Sequence, residues 1–147
     1  MMRTPLITLT VLGLAGTAFA HTGVKNMIVK ARMDAMSAIG ADMKTLGQMA
    51  KGATAFDRDR ARSAAASIAK HAADTPALFE ADEDDPKSEA KAEIWDDFAD
   101  FTAKSKSLEA LALELSASIA AGSDLAPAIK SLGGACQACH KVYREEK

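Results

Sequence analysis

The chain has 147 residues, which is enough for one domain and not comfortably for two. Its 18 basic and 20 acidic residues give a formal net charge of −2. A mildly acidic chain without clustered Lys and Arg is a poor candidate for nucleic-acid binding, so we expect no nucleic-acid partner.

The N-terminus has the three parts of a secretory signal. Arg3 supplies a positive start, residues 6–16 are mostly apolar, and residues 18–20 form a small-x-small cleavage site. The apolar stretch is too short to span a bilayer comfortably, which argues against the alternative of a membrane anchor. We therefore expect residues 1–20 to be a cleaved signal peptide, and residues 21–147 to be one soluble domain in the periplasm, away from the membrane.

Four segments have apolar residues at steps of three and four, the spacing of an amphipathic helix. The predicted helices cover residues 24–50, 57–73, 88–121 and 124–143. Gly52 follows the first helix, Thr75-Pro76 stops the second, and Asp124 suits the N-cap of the fourth. Four such helices with connections of modest length predict an all-α fold, an antiparallel four-helix bundle.

The loop at residues 79–87 carries an acidic run at residues 82–85. Such a run is usually a solvated surface and only occasionally a docking patch for a basic partner. We therefore predict that this loop lies in solvent.

The chemistry of the chain is concentrated in the motif Cys136-Gln137-Ala138-Cys139-His140. Positions three apart share a helix face, so both thiols can reach the vinyl groups on one side of a porphyrin and form thioethers. The adjacent histidine then offers an imidazole nitrogen to the iron. This string is the attachment signature of c-type haem, and it predicts one covalently attached haem c near the C-terminus.

Three other interpretations of the two cysteines are weaker. A thioredoxin-like pair belongs at a strand-to-helix junction, and the sequence indicates no strand. A structural zinc site needs four ligands, and a plain disulfide leaves His140 unexplained.

Gly133 and Gly134, just before the motif, weaken the helix, and close approach of a neighbouring helix or of the haem would explain them.

The helix that ends in residues 136–144 resembles the C-terminus of class II c-type cytochromes, the cytochrome c′ family. Arg32-x-x-x-Met36 resembles the distal-side pattern of that family, residues 49–52 its first-helix ending, and residues 92–95 its third helix. The attachment motif alone is shared by all c-type cytochromes. Its position at the far C-terminus, on the last of four helices, is what points to class II.

Four residues beyond the cysteines have an expected role at the haem, two of them, Met36 and Arg32, through the resemblance. His140 is the expected proximal iron ligand, and Met36 lies where the family places its distal residue. In some members that residue is a ligating methionine, which gives a low-spin iron; in others it leaves the position open. The family suggests that Arg32 contacts a haem propionate, the alternative being a surface arginine. Arg144 is expected at the proximal haem edge, the alternative being a charged residue of the chain end.

The identity of the sixth ligand separates two functions. With Met36 on the iron, the protein is expected to carry single electrons between redox protein partners. With an open position, it is expected to bind small gases such as nitric oxide or carbon monoxide. A haem enzyme such as a peroxidase is the weakest reading, because Met36, Ala35 and Ile39 offer no proton acceptor, so we expect no enzyme activity. The sequence leaves two oligomeric states as alternatives, a monomer and a homodimer.

Overall fold

The computed structural model describes residues 23–146, so the predicted signal peptide lies outside the described residues. Five helices and one 3-10 turn follow one another in this range. They are α1 (Met27–Ala50), α2 (Arg58–Leu78), α3 (Glu93–Asp96), α4 (Phe98–Ser118) and α5 (Leu125–Tyr143), with the 3-10 turn at Gly122–Asp124. None of the described helices has the length and apolar character needed to cross a bilayer.

The four long helices pack side by side as a closed bundle. Helix α2 lies against α1 and α4, and helix α5 completes the ring because it also contacts α1 and α4. Helix α1 begins at Asn26, whose side chain accepts hydrogen bonds from the Ile28 and Val29 amides, and α2 begins at Asp57, which caps Arg60 in the same way. The predicted four-helix bundle is confirmed.

The prediction that Thr75-Pro76 ends the second helix is wrong, because α2 continues to Leu78 with Pro76 inside it. A proline has no N–H to donate to the carbonyl four residues earlier, here that of Ala72. The Ser105 hydroxyl of α4 donates to that carbonyl at 2.7 Å instead. A tertiary hydrogen bond thus satisfies the group that the proline leaves without its helical partner.

The predicted helix over residues 88–121 is also wrong at both ends and in its continuity. Its first residues are not helical, since the Lys91 amide donates to the Tyr143 carbonyl and the Glu145 amide to the Glu89 carbonyl. Asp97 then interrupts the helix with φ −133° and ψ 62°, and its carboxylate caps α4. The helix ends at Ser118, three residues early.

The sequence predicts that Asp124 caps the fourth helix, but its side chain makes no capping hydrogen bond there. Its carboxylate accepts instead from the Ala120 and Ala121 amides, both at 2.9 Å. These bonds hold the chain that enters the 3-10 turn, and they lower the pKa of Asp124.

The hydrophobic core has two parts. The main core is the cluster of buried residues shared by all four long helices: Ile39, Leu46, Met49, Ala61, Ala64, Ala65, Ile68, Ala69, Ala112, Ile119, Leu125 and Leu132. The aromatic cluster comprises Phe79, Ile94, Phe101 and Tyr143. Helix α2 contributes mostly alanines to the main core, so it buries little apolar area for its length.

The acidic loop is less exposed than the sequence predicts. Asp82 and Asp84 lie in solvent, but Asp85 is 5% exposed. Its carboxylate accepts from the backbone amides of Asn26 and Lys87 at 3.0 and 2.9 Å, and from a third amide, that of residue 25. These hydrogen bonds lower the pKa of Asp85. The loop is therefore fastened to the start of α1.

Candidate haem site

The attachment motif lies on α5, the last of the described helices. Leu125, Ala128 and Leu132 are buried at the helical step, and Tyr143 is buried at its end. Cys136 and Cys139 continue this three- and four-residue spacing along α5. Both are half-buried free thiols. The two sulfurs therefore share a helix face, as attachment to one porphyrin edge requires.

The position of the cysteines in the core fits a large apolar group. On α5 the main core ends at Leu132, whereas the aromatic cluster begins with Cys139, which packs against it. Cys136 lies between the two clusters and belongs to neither. Burial raises the pKa of both thiols, so they are not poised as exposed reactive thiolates. Haem c is attached through two such thiols, and its iron is bound by the adjacent imidazole.

The two glycines before the motif are not explained by helix packing. A Cβ added at Gly133 or Gly134 would have no atom of a neighbouring helix within 4 Å. The prediction that a neighbouring helix approaches closely there is therefore wrong. Gly133 is one turn before Cys136, so the space that its missing Cβ leaves lies beside the attachment position, and close approach of the haem stays a prediction.

His140 is half-buried at the edge of a groove of about 620 Å³. Gln137, Lys141 and Arg144 line the same groove. Burial lowers the pKa of the imidazole, the positive charge of Arg144 lowers it further, and Glu89 opposes them. The environment thus favours the neutral imidazole, which is the form that binds iron. Among residues 23–146 no cluster of three or more His, Cys, Asp or Glu could hold a bare metal ion.

Arg144 is exposed, and an ion pair with Glu89 tethers its side chain. Its Nε donates to Glu89 Oε2 at 2.7 Å, and its terminal nitrogen lies 2.6 Å from the same oxygen. The backbone of Arg144 also pairs with Ala90 in an isolated antiparallel bridge. This arrangement keeps the guanidinium near His140, and a contact with the haem edge stays a prediction.

Arg32 is buried, at 3% exposure, so the alternative of a surface arginine is wrong. Its guanidinium donates to three backbone carbonyls at and after the end of α2: those of residues 78 and 83, at 2.9 and 2.7 Å, and that of residue 81. It also lies over the rings of Phe79 and Trp95, at 4.6 and 5.3 Å from their centroids. Burial lowers the pKa of Arg32, and Glu83 and Asp82 raise it.

The propionate contact of Arg32 stays a prediction, and the loop contacts add a structural role to it. A guanidinium has five N–H donors, and the three carbonyls occupy three of them. Two of the five N–H donors then remain.

Replacing Arg32 with lysine is expected to destabilise the protein strongly. Lysine keeps the charge, but its single ammonium cannot reproduce the fork that reaches three carbonyls. The loss should be about 3–5 kcal/mol in the free energy of unfolding, since each hydrogen bond to a charged group contributes about 1.5–3 kcal/mol. Urea unfolding followed by circular dichroism measures it. Arg60→Lys, at an exposed position on α2, is the control, and an equal effect of both changes would contradict the structural role.

Met36 is half-buried on α1, one turn after Arg32. It packs against the main core, with Ala35 and Ile39 buried beside it. Its surroundings are therefore apolar, as a distal position without a proton acceptor requires. Ligation of the iron by its sulfur stays a prediction.

Three polar residues near the motif, Glu89, Asp100 and Lys104, have no signal in the sequence. Glu89 binds Arg144. Asp100 accepts a 2.6 Å hydrogen bond from the Tyr143 hydroxyl and forms an ion pair with Lys104. Along the chain, Asp100 is 43 residues from Tyr143, and Glu89 is 55 residues from Arg144. No local spacing could have indicated these contacts.

Comparison with known proteins agrees with this geometry. A family model described as Cytochrome C' matches residues 27–144. Cytochrome c-556 of Agrobacterium tumefaciens (strain apple 185) is 34% identical over 118 residues, which cover 80% of this chain and 94% of that protein.

Solved structures show the same fold. Cytochrome c′ from Rhodopseudomonas palustris superposes with a TM-score of 0.77 at 28% identity, covering 84% of this chain and 99% of its own. The nitric oxide complex of a mutant of cytochrome c prime from Alcaligenes xylosoxidans gives 0.71 at 27% identity, covering 82% and 95%.

Proposed function

This chain belongs to the cytochrome c′ family, a family of mono-haem proteins with covalently bound haem c, and we propose that it carries single electrons between redox proteins. In this proposal Cys136 and Cys139 hold the haem through thioethers. His140 is the proximal ligand of the iron, and Met36 is the distal one. When bound, haem c supplies a reversible one-electron change at its iron.

The position of Met36 is the observation that carries the electron-transfer proposal. A thioether favours ferrous iron and completes six-coordination, which leaves no site for a gas. The side chain comes from α1, which packs against α5, and it lies in an apolar environment. The neutral imidazole that burial favours at His140 would supply the nitrogen that holds the iron.

Export and solubility belong to the same proposal. The predicted cleavage after residue 20 would deliver residues 21–147 to the periplasm, where haem c is attached. The redox partners there would be other proteins, and the chain would act as a monomer or a homodimer. No catalytic residue is proposed, since Ala35 and Ile39 beside Met36 provide no general base.

Gas binding is the second candidate function. It is favoured by the similarity to a cytochrome c prime whose mutant was solved as a nitric oxide complex. It requires that Met36 stay off the iron and only fill the distal side, as methionine does in many cores. The two functions therefore differ in a single bond.

The visible spectrum of the reduced protein with and without carbon monoxide tests the proposal. We expect sharp low-spin bands that carbon monoxide leaves unchanged, because Met36 occupies the sixth position. Broad high-spin bands that shift when carbon monoxide is added would contradict electron transfer with methionine ligation and would support gas binding.

A further inference from the structure

A charged pair on α4 lies beside the attachment motif. The Asp100 carboxylate, in the first turn of α4, accepts a hydrogen bond from the Tyr143 hydroxyl at 2.6 Å. The Lys104 ammonium lies 3.2 Å from the same oxygen, Asp100 Oδ2. The side chains of Asp100 and Lys104 are 42% and 29% exposed, so solvent screens them only in part.

The pair is close to Cys139. Tyr143 is one turn after Cys139 on α5, and the Cys139 side chain packs against the aromatic cluster that contains Tyr143 and Phe101. The ring of Phe101, the residue after Asp100, meets the Tyr143 ring edge-on at 5.4 Å between centroids.

The negative charge stays on Asp100 at neutral pH. The hydrogen bond from Tyr143 and the bond from Lys104 lower the pKa of the carboxyl group. Burial and the carboxylate raise the pKa of the Tyr143 hydroxyl, so the proton remains on the tyrosine. A fixed carboxylate and an ammonium thus face the edge of the site at which Cys139 would hold the haem.

We propose that the charge of the Asp100 carboxylate tunes the reduction potential of the haem, with Lys104 as its opposing charge. The inference rests on the proposed attachment through Cys139. Oxidation leaves the haem with one more positive charge, so a nearby carboxylate stabilises the ferric state and an ammonium stabilises the ferrous state. The aromatic packing around Tyr143 excludes water from one side of the pair and strengthens both effects.

Redox titration of the holo protein and its variants tests this proposal. Asp100→Asn should raise the ratio of reduced to oxidised haem, at a fixed ambient potential, by about threefold to tenfold. At 59 mV per tenfold for one electron, this is a rise of about 30–60 mV. Lys104→Met should lower the ratio, because it leaves the carboxylate without its opposing charge.

Glu114→Gln is the matched control. It removes an exposed carboxylate from the same helix, about 21 Å along the axis from Asp100, which is beyond the screening length at physiological salt. The ratio should not change in this variant. A purely structural role of Asp100 would lower the melting temperature without shifting the potential in opposite directions in the two test variants.

Opposite shifts in Asp100→Asn and Lys104→Met support the proposal, and any other pattern overturns it. If Asp100→Asn does not fold, Lys104→Met decides alone: a fall in the ratio supports the proposal, and no fall overturns it. Extraction with acidified organic solvent separates this failure from failure of the proposed function. Haem released from the unmodified protein overturns the attachment, whereas retained haem with unmoved potentials overturns the role of Asp100 only.

Discussion

Replacing Met36 with alanine is expected to convert a low-spin haem protein into a high-spin one. The thioether proposed as the sixth ligand would be gone, and alanine has no atom that can replace it. Carbon monoxide should then bind quickly to the reduced variant, where it binds slowly or not at all to the unmodified protein. The potential should also fall, because a soft thioether favours ferrous iron. Absorption spectra with and without carbon monoxide measure the change.

Met33→Ala is the control for this experiment. Met33 is also a half-buried methionine of α1, but it points about 60° away from Met36 around the helix. Its replacement should leave the spin state and the carbon monoxide response unchanged. A high-spin spectrum of the unmodified protein, or equal effects of the two substitutions, would contradict ligation by Met36.

Replacing both Cys136 and Cys139 with alanine is expected to remove the covalent haem and to destabilise the fold. The main core and the aromatic cluster are separate clusters, and α2 adds mostly alanines to the main core. A covalently held haem stays on the chain when it unfolds, so it stabilises through contacts that only the folded state makes. We take about 4 kcal/mol for these contacts, the value for a reversible ligand at a thousand times its dissociation constant. At about 3–5 °C per kcal/mol for a domain of this size, the melting temperature should fall by roughly 10–20 °C.

Thermal melting followed by circular dichroism measures this loss, and acid-solvent extraction reports the haem. Gln137→Ala, an exposed position in the same turn of α5, should keep both the haem and the melting temperature. Equal melting temperatures for the double alanine variant and the unmodified protein would show that the fold does not depend on the haem.

The helices were predictable because their signal is local. Apolar spacing located all four long helices, whereas the one N-cap named from the sequence, Asp124, does not cap its helix through its side chain. The ends that the sequence missed are set by contacts between distant segments. The continuation of α2 past Pro76 depends on Ser105, 33 residues away from the carbonyl that it satisfies. The non-helical start of the third segment depends on pairing with the chain end near Tyr143.

The same distinction applies to the site. The cysteines and His140 were found because five adjacent residues carry the attachment chemistry. The partners that surround them were not found, because Asp100 reaches Tyr143 across 43 residues and Glu89 reaches Arg144 across 55. Arg32 was expected near a propionate, and only the fold shows that it also fastens the loop after α2.

The mass of one peptide tests the central claim most directly. Trypsin cleaves after Lys130 and Lys141, so residues 131–141 form a peptide that contains both Cys136 and Cys139. In the protein purified from an exporting host, we predict that this peptide carries the added mass of one haem and absorbs in the Soret band. Recovery of the peptide without haem, with its cysteines free or joined in a disulfide, would contradict the account.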